Sequence, residues 1–451
     1  MKKMENREFS SFRDNFGYVY YENDTVFRQL NEENTTDFDF FINSGLAQKL
    51  ISKNWLINFI EVESDSPGKT LKVDKIPIIS YPAEWSFSML KDAAILTLKI
   101  QKLALDFGMT LKDASAYNIQ FINSNPIFID ITSFEKIVQN TQWVAYQQFC
   151  KHFLAPLALM AKVDISLNSL FKVHLDGIPL PLASKLLPFK AKFNLGIYLH
   201  IILHSKFSEK YNSKKIMSKP QKEGNIFNLI SNLKETIHQL KYSPTNTEWV
   251  DYYKNSVENE YLEAKIKLFK TYLSSLKKGS MWDIGSNDGY FTNIASEFAT
   301  QTVGSDIDPA AVENFYLKNK LQNNSNILSL VLDITNTDGG FGWNNLERKS
   351  IFERIKVDTI VALAIVHHLR ITYAIPVNYL AKFFAEKCTN LIIEFVPKTD
   401  EKVQILLQNR MDVFEDYTIE NFKVEFEIYF DIINSKMIEN SKRTLFLLRT
   451  K

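Results

Sequence analysis

Short apolar stretches alternate with segments of helical period from residue 280 to the end of the chain. The stretches are SMWDIG, TVGSDI, ILSLVLDI, VDTIVALA and NLIIEFV, and two paired strands are expected near FEIYF and TLFLLRT. Apolar strands that are separated by helices predict a sheet covered on both faces. The sequence therefore predicts an α/β fold with a doubly wound sheet for this half of the chain.

The stretch MWDIGSNDGYF, residues 281–291, joins the first of these strands to its helix. Asp283 ends the strand, and Gly285 and Gly289 permit a tight turn and a close backbone approach to a ligand. Asn287 is a residue type that tolerates a left-handed backbone. The helix that follows directs free N–H groups at the loop, which predicts a ligand site here. The alternative is a glycine turn that binds nothing.

The next two strands also end in acids, Asp306 in VGSDID and Asp333 in LVLDIT. Asp306 follows the glycine loop at about the distance where an acid binds ribose hydroxyls in doubly wound folds. The carboxyl ends of parallel strands meet at one edge of the sheet, so the acids are expected to face one crevice. The alternative is that they cap helices.

Residues 256–451 resemble a class I S-adenosylmethionine-dependent methyltransferase. DIGSNDG is similar to the glycine-rich first motif of that family and DTIVALAIVHHL to its fourth, whereas GSNDG does not fit the GxGxxG of nicotinamide dehydrogenases. The resemblance implies a Rossmann-like sheet with an extra antiparallel strand and S-adenosyl-L-methionine as the methyl donor. It implies that Asp306 binds the ribose and Asp333 contacts the adenine. The donor-binding residues that it implies are Asp283, Gly285, Asn287, Gly289, Asp306 and Asp333.

Three residues are candidates for catalysis. His367 and His368 follow the fourth strand, and either could take a proton at neutral pH. Glu394 in LIIEFVP ends the fifth strand and could orient the acceptor. The alternatives are that the histidines pack at the sheet edge or cap a helix and that Glu394 faces a helix N-terminus.

The first half of the chain carries a second pattern in LKDASAYNIQFINSNPIFIDI, residues 111–131. Asp113, Asn118 and Asp130 resemble the catalytic segment of protein-kinase-like phosphotransferases. In that family the first Asp takes the substrate proton, and the Asn and the second Asp hold magnesium. The alternative is that Asp113 and Asn118 only satisfy turns.

The kinase-like resemblance covers about residues 15–205 and implies an α+β domain with GYVYYENDTVFRQL as the covering hairpin. It implies ATP and Mg²⁺ as ligands of this domain. The chain departs from the family in four ways: the hairpin lacks the glycine-rich motif, Leu111-Lys112 replaces His-Arg, Ile131-Thr132 replaces Phe-Gly after the second Asp, and no VAIK-type lysine is evident. Arg28 and Lys49 are the candidate substitutes for that lysine.

The chain is expected to divide into an N-terminal kinase-like or acceptor-recognition domain (1–205), a linker and helix (206–245) and a methyltransferase domain (246–451). The polar, basic stretch 206–225 is the predicted linker. Aromatic side chains ahead of the sheet are expected either to form a lid over the donor or to join the core; they are Trp249, Tyr252 and Tyr253. The segments YPAEWSF, LKDASAYNIQF, QFCKHFLAPLALMA and DGIPLPLAS resemble bacterial methyltransferases with a long N-terminal extension.

Charge and composition exclude several classes of function. The 53 basic and 52 acidic residues leave a net charge of +1, and no DPPY-like motif follows the fourth strand, so no nucleic-acid partner is expected. Two cysteines without CxxC spacing predict neither disulfides nor a metal site. The first residues lack the apolar core of a secretory signal, and no apolar run is long enough to span a bilayer. These features predict a cytoplasmic protein; the oligomeric state stays open.

Three functions remain after these exclusions. The first is an enzyme that methylates a small-molecule or glycan acceptor, with the N-terminal half recognising that acceptor. The second is a bifunctional kinase-methyltransferase. The third is a non-catalytic module that binds S-adenosylmethionine. The intact glycine loop and three strand-end acids favour an enzyme.

Overall fold

The structure is a computed structural model that describes residues 7–122, 124–138, 141–206, 224–243, 260–322, 326–408 and 411–451. The chain forms two compact units. Unit 1 contains residues 1–243 and 338–350, and unit 2 contains residues 244–337 and 351–451. Most of the predicted linker and all three aromatic residues of the predicted lid lie outside the described residues.

Unit 1 begins with a four-stranded antiparallel sheet in the order β1-β2-β4-β3. Two further strand pairs, β5 with β8 and β6 with β7, are also antiparallel. The strands are β1 (Gly17–Glu22), β2 (Thr25–Leu30), β3 (Phe59–Val62), β4 (Lys69–Val73), β5 (Met109–Leu111), β6 (Ile119–Ile122), β7 (Asn125–Phe128) and β8 (Phe134–Lys136). The predicted hairpin at residues 17–30 is confirmed, with Glu22 opposite Thr25 at its turn.

Helices form most of the rest of unit 1. The α-helices span Thr35–Asn43, Leu46–Ser52, Phe87–Asp106, Tyr146–Phe149, Ala155–Lys162, Leu180–Leu186, Leu195–Ile197 and Gly224–Gln239. Shorter 3-10 turns span Phe9–Arg13, Glu32–Asn34, Pro82–Glu84, Ala116–Asn118, Ile165–Lys172, Phe189–Phe193 and Trp343–Asn345, and π-turns span Cys150–Leu154 and Tyr198–Leu203. The helical spacing of apolar residues in 86–107 predicts a helix that begins after Ser86. This helix is confirmed, and Gly108 follows its end with a φ of +72°.

The apolar run IPIISY, residues 76–81, predicts a strand, and this prediction is wrong. This stretch is apolar, but Pro77 lacks the N–H that a ladder needs. The backbone of Ser80 bonds instead to a side chain: its N–H donates to Gln120 Oε1 at 2.9 Å, and its carbonyl accepts from Gln120 Nε2 at 3.0 Å. The segment therefore pairs with no strand among the described residues, and its backbone bends at Pro77 and Ile78.

Unit 2 contains a seven-stranded mixed sheet that fits a Rossmann-like fold, with the order β11-β10-β9-β12-β13-β15-β14. The strands are β9 (Gly279–Ile284), β10 (Ala299–Asp306), β11 (Ile327–Val331), β12 (Thr359–Ala362), β13 (Asn390–Phe395), β14 (Phe430–Met437) and β15 (Thr444–Thr450). Strands β9 to β13 are parallel, and β15 runs antiparallel to both of its neighbours. The expected antiparallel addition to a parallel sheet is thus present.

The helices of unit 2 connect these strands. They span Glu260–Ser274, Tyr290–Ser296, Pro309–Gln322, Ile351–Arg354, Val377–Ala385, Glu401–Leu407 and Ile419–Glu427, with a π-turn at His368–Thr372. The paired strands expected near FEIYF and TLFLLRT are present. The first of them begins only at Phe430, the last residue of FEIYF, because Phe422 and Phe426 lie on the buried face of a helix.

The core of unit 2 explains why the sheet forms where the apolar stretches lie. On one face of the sheet, Phe269 and Leu273 of the helix Glu260–Ser274 pack with Phe291 and with the strand residues Met281 and Ile392, all of them buried. The strand order reverses between β10 and β12 on either side of β9, which creates a crevice at the carboxyl ends of these strands. No helix in the described ranges is long and apolar enough to cross a membrane.

Candidate functional site

The loop between β9 and the helix Tyr290–Ser296 lies at this crevice and has a left-handed backbone at three positions. The φ angles are +78° at Gly285, +50° at Asn287 and +82° at Gly289. A Cβ at Gly289 would lie 2.0 Å from two ring carbons of Phe315. The loop therefore needs glycine for its backbone conformation and for close packing, and asparagine is a residue that accepts the middle position.

Asp306, at the end of β10, holds the loop in place. Its Oδ2 accepts a hydrogen bond from the backbone N–H of Asn287 at 2.8 Å, and its Oδ1 accepts from the N–H of Asp308 at 2.9 Å. Burial raises the pKa of the Asp306 carboxyl, and the two N–H donors oppose that shift. A carboxylate has about four lone-pair sites, so Asp306 retains the capacity to accept from ligand hydroxyls.

Asp283 lies beneath the loop. Its carboxylate is buried and accepts from the Thr292 hydroxyl at 2.6 Å. Burial raises the pKa of Asp283 to about 7, with the nearby Asp306 charge adding to the rise. Asp283 therefore fastens the helix that follows the loop to β9, and Thr292 is a partner that the sequence pattern did not identify.

Asp333 lies two residues beyond the end of β11, in a turn. Its Oδ1 accepts from the backbone N–H of Thr335 at 2.8 Å and from the Thr335 hydroxyl at 2.6 Å. The N–H of the preceding Leu332 donates to the Asp306 carbonyl at 2.8 Å, so the chain segments that carry the two acids adjoin. The structure thus brings Asp283, Asp306 and Asp333 to the same sheet edge, as the strand pattern predicted.

His367 and His368 follow β12 on the far side of the same crevice, with ring centroids 4.2 Å apart. His367 is 2% exposed, and its Nδ1 bonds to no group in the described part of the chain. Burial, then the neighbouring His368, Arg443 and Lys265, holds the pKa of His367 well below its usual value. Burial also lowers the pKa of His368. Both lowered values favour the neutral imidazole, which has a lone pair to accept a proton.

Glu394 is completely buried in β13 and is surrounded by donors. Lys265 Nζ lies 2.6 Å from its Oε2, the Tyr261 hydroxyl 3.0 Å from its Oε1 and Arg443 Nη1 3.5 Å from its Oε1. Burial alone would raise the pKa of Glu394, but Lys265 and Arg443 outweigh it and lower the pKa. Arg443 also binds Asp400 through two hydrogen bonds of 2.7 and 3.0 Å. Glu394 therefore anchors a buried ionic cluster.

The loop also contains a polar atom that fits a ligand. The Ser286 hydroxyl is buried and finds no hydrogen-bond partner among the described residues. Such an atom costs free energy unless something bonds to it. Together with the remaining lone pairs of Asp306, it suits a ligand that carries hydroxyl and charged groups. No cluster of three or more His, Cys, Asp or Glu side chains that could hold a metal ion occurs in the described ranges.

The second pattern, in unit 1, is also brought together. Asp113 Oδ1 accepts from the backbone N–H of Ser115 at 2.8 Å. Asn118 Nδ2 donates to Ser133 Oγ at 3.3 Å, and Ser133 Oγ donates to Asp130 Oδ2 at 2.6 Å. Burial, then the charge of Asp130, raises the pKa of Asp113. Asp113, Asn118 and Asp130 thus form one connected group.

Arg28 contacts this group from β2. Its Nη2 lies 3.3 Å from Asp130 Oδ1, donates to Thr132 Oγ1 at 2.6 Å and also pairs with Asp14. Burial alone would raise the pKa of Asp130, but Arg28 and the hydroxyl donors lower it. Lys49, the other candidate for the missing lysine, is exposed on the helix Leu46–Ser52. Arg28 is therefore the cation that pairs with Asp130.

Comparison with known proteins gives one relative over nearly the whole chain. The nodulation protein NoeA of Rhizobium meliloti (strain 1021) is 30% identical in an alignment 462 positions long, which covers 98% of this chain and 95% of NoeA. No protein-family model matches the chain.

Solved structures resemble part of the chain. The N-methyltransferase NodS of Bradyrhizobium japonicum WM9 is 13% identical and covers 43% of this chain and 98% of its own, with a TM-score of 0.32. Magnesium protoporphyrin IX methyltransferase of Synechocystis PCC 6803 with bound SAM is 14% identical and covers 47% and 88%, also with a TM-score of 0.32. Similarities at this level carry no argument about the activity of this chain.

Proposed function

The chain belongs to the family of the nodulation protein NoeA, and we propose that its C-terminal unit transfers a methyl group from S-adenosylmethionine to a small-molecule or glycan acceptor. The observation that carries this proposal is the pairing of the Asp306 carboxylate with the N–H of Asn287. It joins a glycine loop to a strand-end acid at the crevice where doubly wound sheets bind ligands.

Each residue of the crevice has a role in the proposed binding of the donor. Asp306 accepts the ribose hydroxyls, because its oxygens keep lone pairs beyond the two N–H bonds. Gly285, Asn287 and Gly289 let the backbone approach the methionine end, and Asp333 lies on the adjoining segment, toward the adenine. When bound, the donor supplies a methyl group on a positively charged sulfur.

His367 and His368 are the proposed acceptors of the proton that an alcohol or amine loses when it is methylated. The support is geometric: both side chains follow β12 at the crevice, with ring centroids 4.2 Å apart, and His367 Nδ1 has no protein partner in the described ranges. Glu394 acts indirectly, through its cluster with Lys265 and Arg443. This cluster fixes β13 and places two cations near His367. The catalytic contribution of these groups is to orient the acceptor and receive its proton.

Substitution of Asp306 tests the donor site. Asp306→Ala is expected to abolish binding of S-adenosylhomocysteine in calorimetry, because the loop loses its anchor and the ribose its acceptor. Asp358→Ala is the matched control: this carboxylate lies at the opposite edge of the same sheet, where it accepts from Ser280 at 2.7 Å. Donor affinity that survives Asp306→Ala would refute the ribose assignment.

Label transfer tests the reaction itself. Methyl-labelled S-adenosylmethionine is incubated with the protein and with protein, RNA, glycan-lipid and small-molecule fractions of a cell extract. Label in the glycan-lipid or small-molecule fraction is the expected result. Label in RNA or protein would contradict the acceptor class. Donor binding without label in any fraction would support the non-catalytic module.

A bifunctional kinase-methyltransferase is the second candidate, and the connected group of Asp113, Asn118 and Asp130 favours it. On this proposal unit 1 is kinase-like and binds ATP with Mg²⁺, Asp113 takes a hydroxyl proton and Arg28 replaces the usual lysine. Its test is ATP-dependent phosphate transfer in the same extract, with Asp113→Asn as the inactive variant and Asp24→Asn, on the exposed hairpin turn, as the control. Transfer that is unchanged in Asp113→Asn would exclude this role.

A further inference from the structure

Several buried polar atoms in unit 1 have no hydrogen-bond partner among the described residues, and three of them lie together: Tyr117 Oη, His152 Nδ1 and Arg348 Nε. Their side chains touch. The guanidinium carbon of Arg348 lies 4.6 Å from the centroid of the Tyr117 ring, and the rings of Tyr117 and His152 meet edge to face at 6.2 Å. Tyr81 packs edge to face on Tyr117 at 5.7 Å. These four residues are called the Tyr117 cluster below.

Arg348 brings an uncompensated positive charge into the cluster. No carboxylate in the described ranges forms an ion pair with it. The adjacent Glu347 carboxylate is bound by Arg13 at 2.9 Å, and Asp338 is bound by Lys172 at 2.9 Å. A partly buried guanidinium with an unsatisfied N–H is costly unless an anion accompanies it. The charge therefore points to an anionic ligand.

Two features of the local structure fix the position of His152. It lies in the π-turn Cys150–Leu154, a geometry that occurs frequently at functional sites. A Cβ at Gly177 would lie 2.9 Å from His152 Cδ2 and 2.8 Å from Lys151 Cβ, so a larger residue would displace the ring. Burial, then Lys151 and Arg348, lowers the pKa of His152 to about 3, and the imidazole adds no charge to the cluster.

Three sequence segments that the methyl-donor site does not use supply a residue of the cluster, and a fourth supplies a glycine that packs against His152. YPAEWSF supplies Tyr81, LKDASAYNIQF supplies Tyr117, QFCKHFLAPLALMA supplies His152 and DGIPLPLAS supplies Gly177. They are separate in sequence and converge on one polar patch. Convergence of this kind is expected of a binding site and is not needed by an apolar core.

We propose that the Tyr117 cluster binds a small oxyanion, a phosphate or carboxylate group, with Arg348 as its counter-charge and the Tyr117 hydroxyl as a hydrogen-bond donor. Arg348 offers Nε and the planar fork that matches oxyanion geometry. The neutral His152 completes the polar lining without repelling or neutralising the ligand. All residues of this site belong to unit 1.

The test measures probe binding to the full chain by calorimetry in a Tris chloride buffer. The two probes are inorganic phosphate and acetate. Tyr117→Phe and Arg348→Gln remove one donor each and retain shape. Lys349→Gln is the matched control, since this exposed cation adjoins Arg348 in sequence and forms an ion pair with Glu8 at 2.7 Å. A probe is expected to bind the wild type and Lys349→Gln with equal affinity. Its affinity for Tyr117→Phe and Arg348→Gln is expected to be at least tenfold lower. Phosphate binding alone would identify a phosphate ligand, and acetate binding alone a carboxylate.

Thermal unfolding gives an independent readout. Without a probe, Arg348→Gln is expected to unfold at the same or a higher temperature than the wild type, because an unpaired charge is removed. With saturating probe, the wild type is expected to unfold at a higher temperature than Arg348→Gln. Equal affinity in all four proteins, or no binding of either probe with ordered waters on the three atoms in an experimental structure, would overturn the proposal.

Discussion

Gly289→Ala is the perturbation whose magnitude the structure defines best. Gly289 has a φ of +82°, and the added methyl would lie 2.0 Å from Cδ2 and Cε2 of Phe315 and 2.6 Å from its Cζ. Phe315 is completely buried, so its ring has no open space to enter. The left-handed backbone costs about 1–2 kcal/mol for a residue with a Cβ, and overpacking costs about 1–3 kcal/mol. The expected loss is roughly 2–5 kcal/mol of the free energy of unfolding.

Thermal unfolding is the assay. For a unit of about 200 residues, each kcal/mol lowers the unfolding midpoint by about 2–4 °C, so Gly289→Ala is expected to lower it by roughly 4–20 °C. Gly339→Ala, in unit 1, is the control for an added methyl group that meets nothing, because no atom lies within 4 Å of its Cβ position. Its midpoint is expected to stay within about 2 °C of the wild type.

A double-mutant cycle tests the stated cause. Phe315→Leu removes the ring atoms that the new methyl would meet, so the loss in Gly289→Ala/Phe315→Leu is expected to be smaller than the sum of the single losses by about 1 kcal/mol or more. The reasoning is refuted if Gly289→Ala unfolds like Gly339→Ala. It is also refuted if the two losses simply add, because the clash with Phe315 would then contribute nothing.

Three further predictions concern the ionisable groups of unit 2. Lys265→Met leaves the buried Glu394 without its main partner and is expected to lower the free energy of unfolding by about 3–5 kcal/mol in chemical denaturation. The double variant Lys265→Met/Glu394→Gln should regain most of this stability. A double variant as unstable as Lys265→Met would show that the pair is not the cause. The folded-state pKa of Asp283 is raised to about 7, so its contribution to stability is present at acid pH and falls as pH rises from about 4 to 7. Asp283→Asn should remove that fall, and unfolding curves of equal pH dependence would contradict it. If His367 is the proton acceptor, its lowered pKa predicts a pH–rate profile without an inflection near 6.5, and an inflection there that His367→Gln removes would show that the imidazole titrates normally.

The strands of unit 2 could be predicted because buried parallel strands are continuous apolar runs that end in polar residues. The same rule failed at residues 76–81, where a side chain, Gln120, takes the hydrogen bonds that a neighbouring strand would make. It also misplaced the start of β14, since the spacing of Phe422 and Phe426 suits a helix face as well as a strand. Local pattern does not reveal which partner a backbone will find.

The candidate site divides in a similar way. The glycine loop and Asp306 were predictable, because their chemistry depends on residues at fixed spacing. The contacts of Glu394 were not: Lys265 and Arg443 lie on other elements, and no spacing links them to it. The Tyr117 cluster was equally hidden, since Arg348 comes from a distant part of the chain. Long-range pairing of charges depends on tertiary structure, which no local motif encodes.

Because residues 338–350 belong to unit 1, synthesis on the ribosome delays the completion of that unit. These residues are made after β11 of the other unit, so unit 1 lacks Arg348 and the Glu347 partner of Arg13 until that point. At about 5–20 residues per second, the ribosome needs roughly 5–20 s to travel from residue 243 to residue 350. During this interval unit 1 cannot complete its contacts. A gene split at any single position would separate one of the two units from part of its own chain.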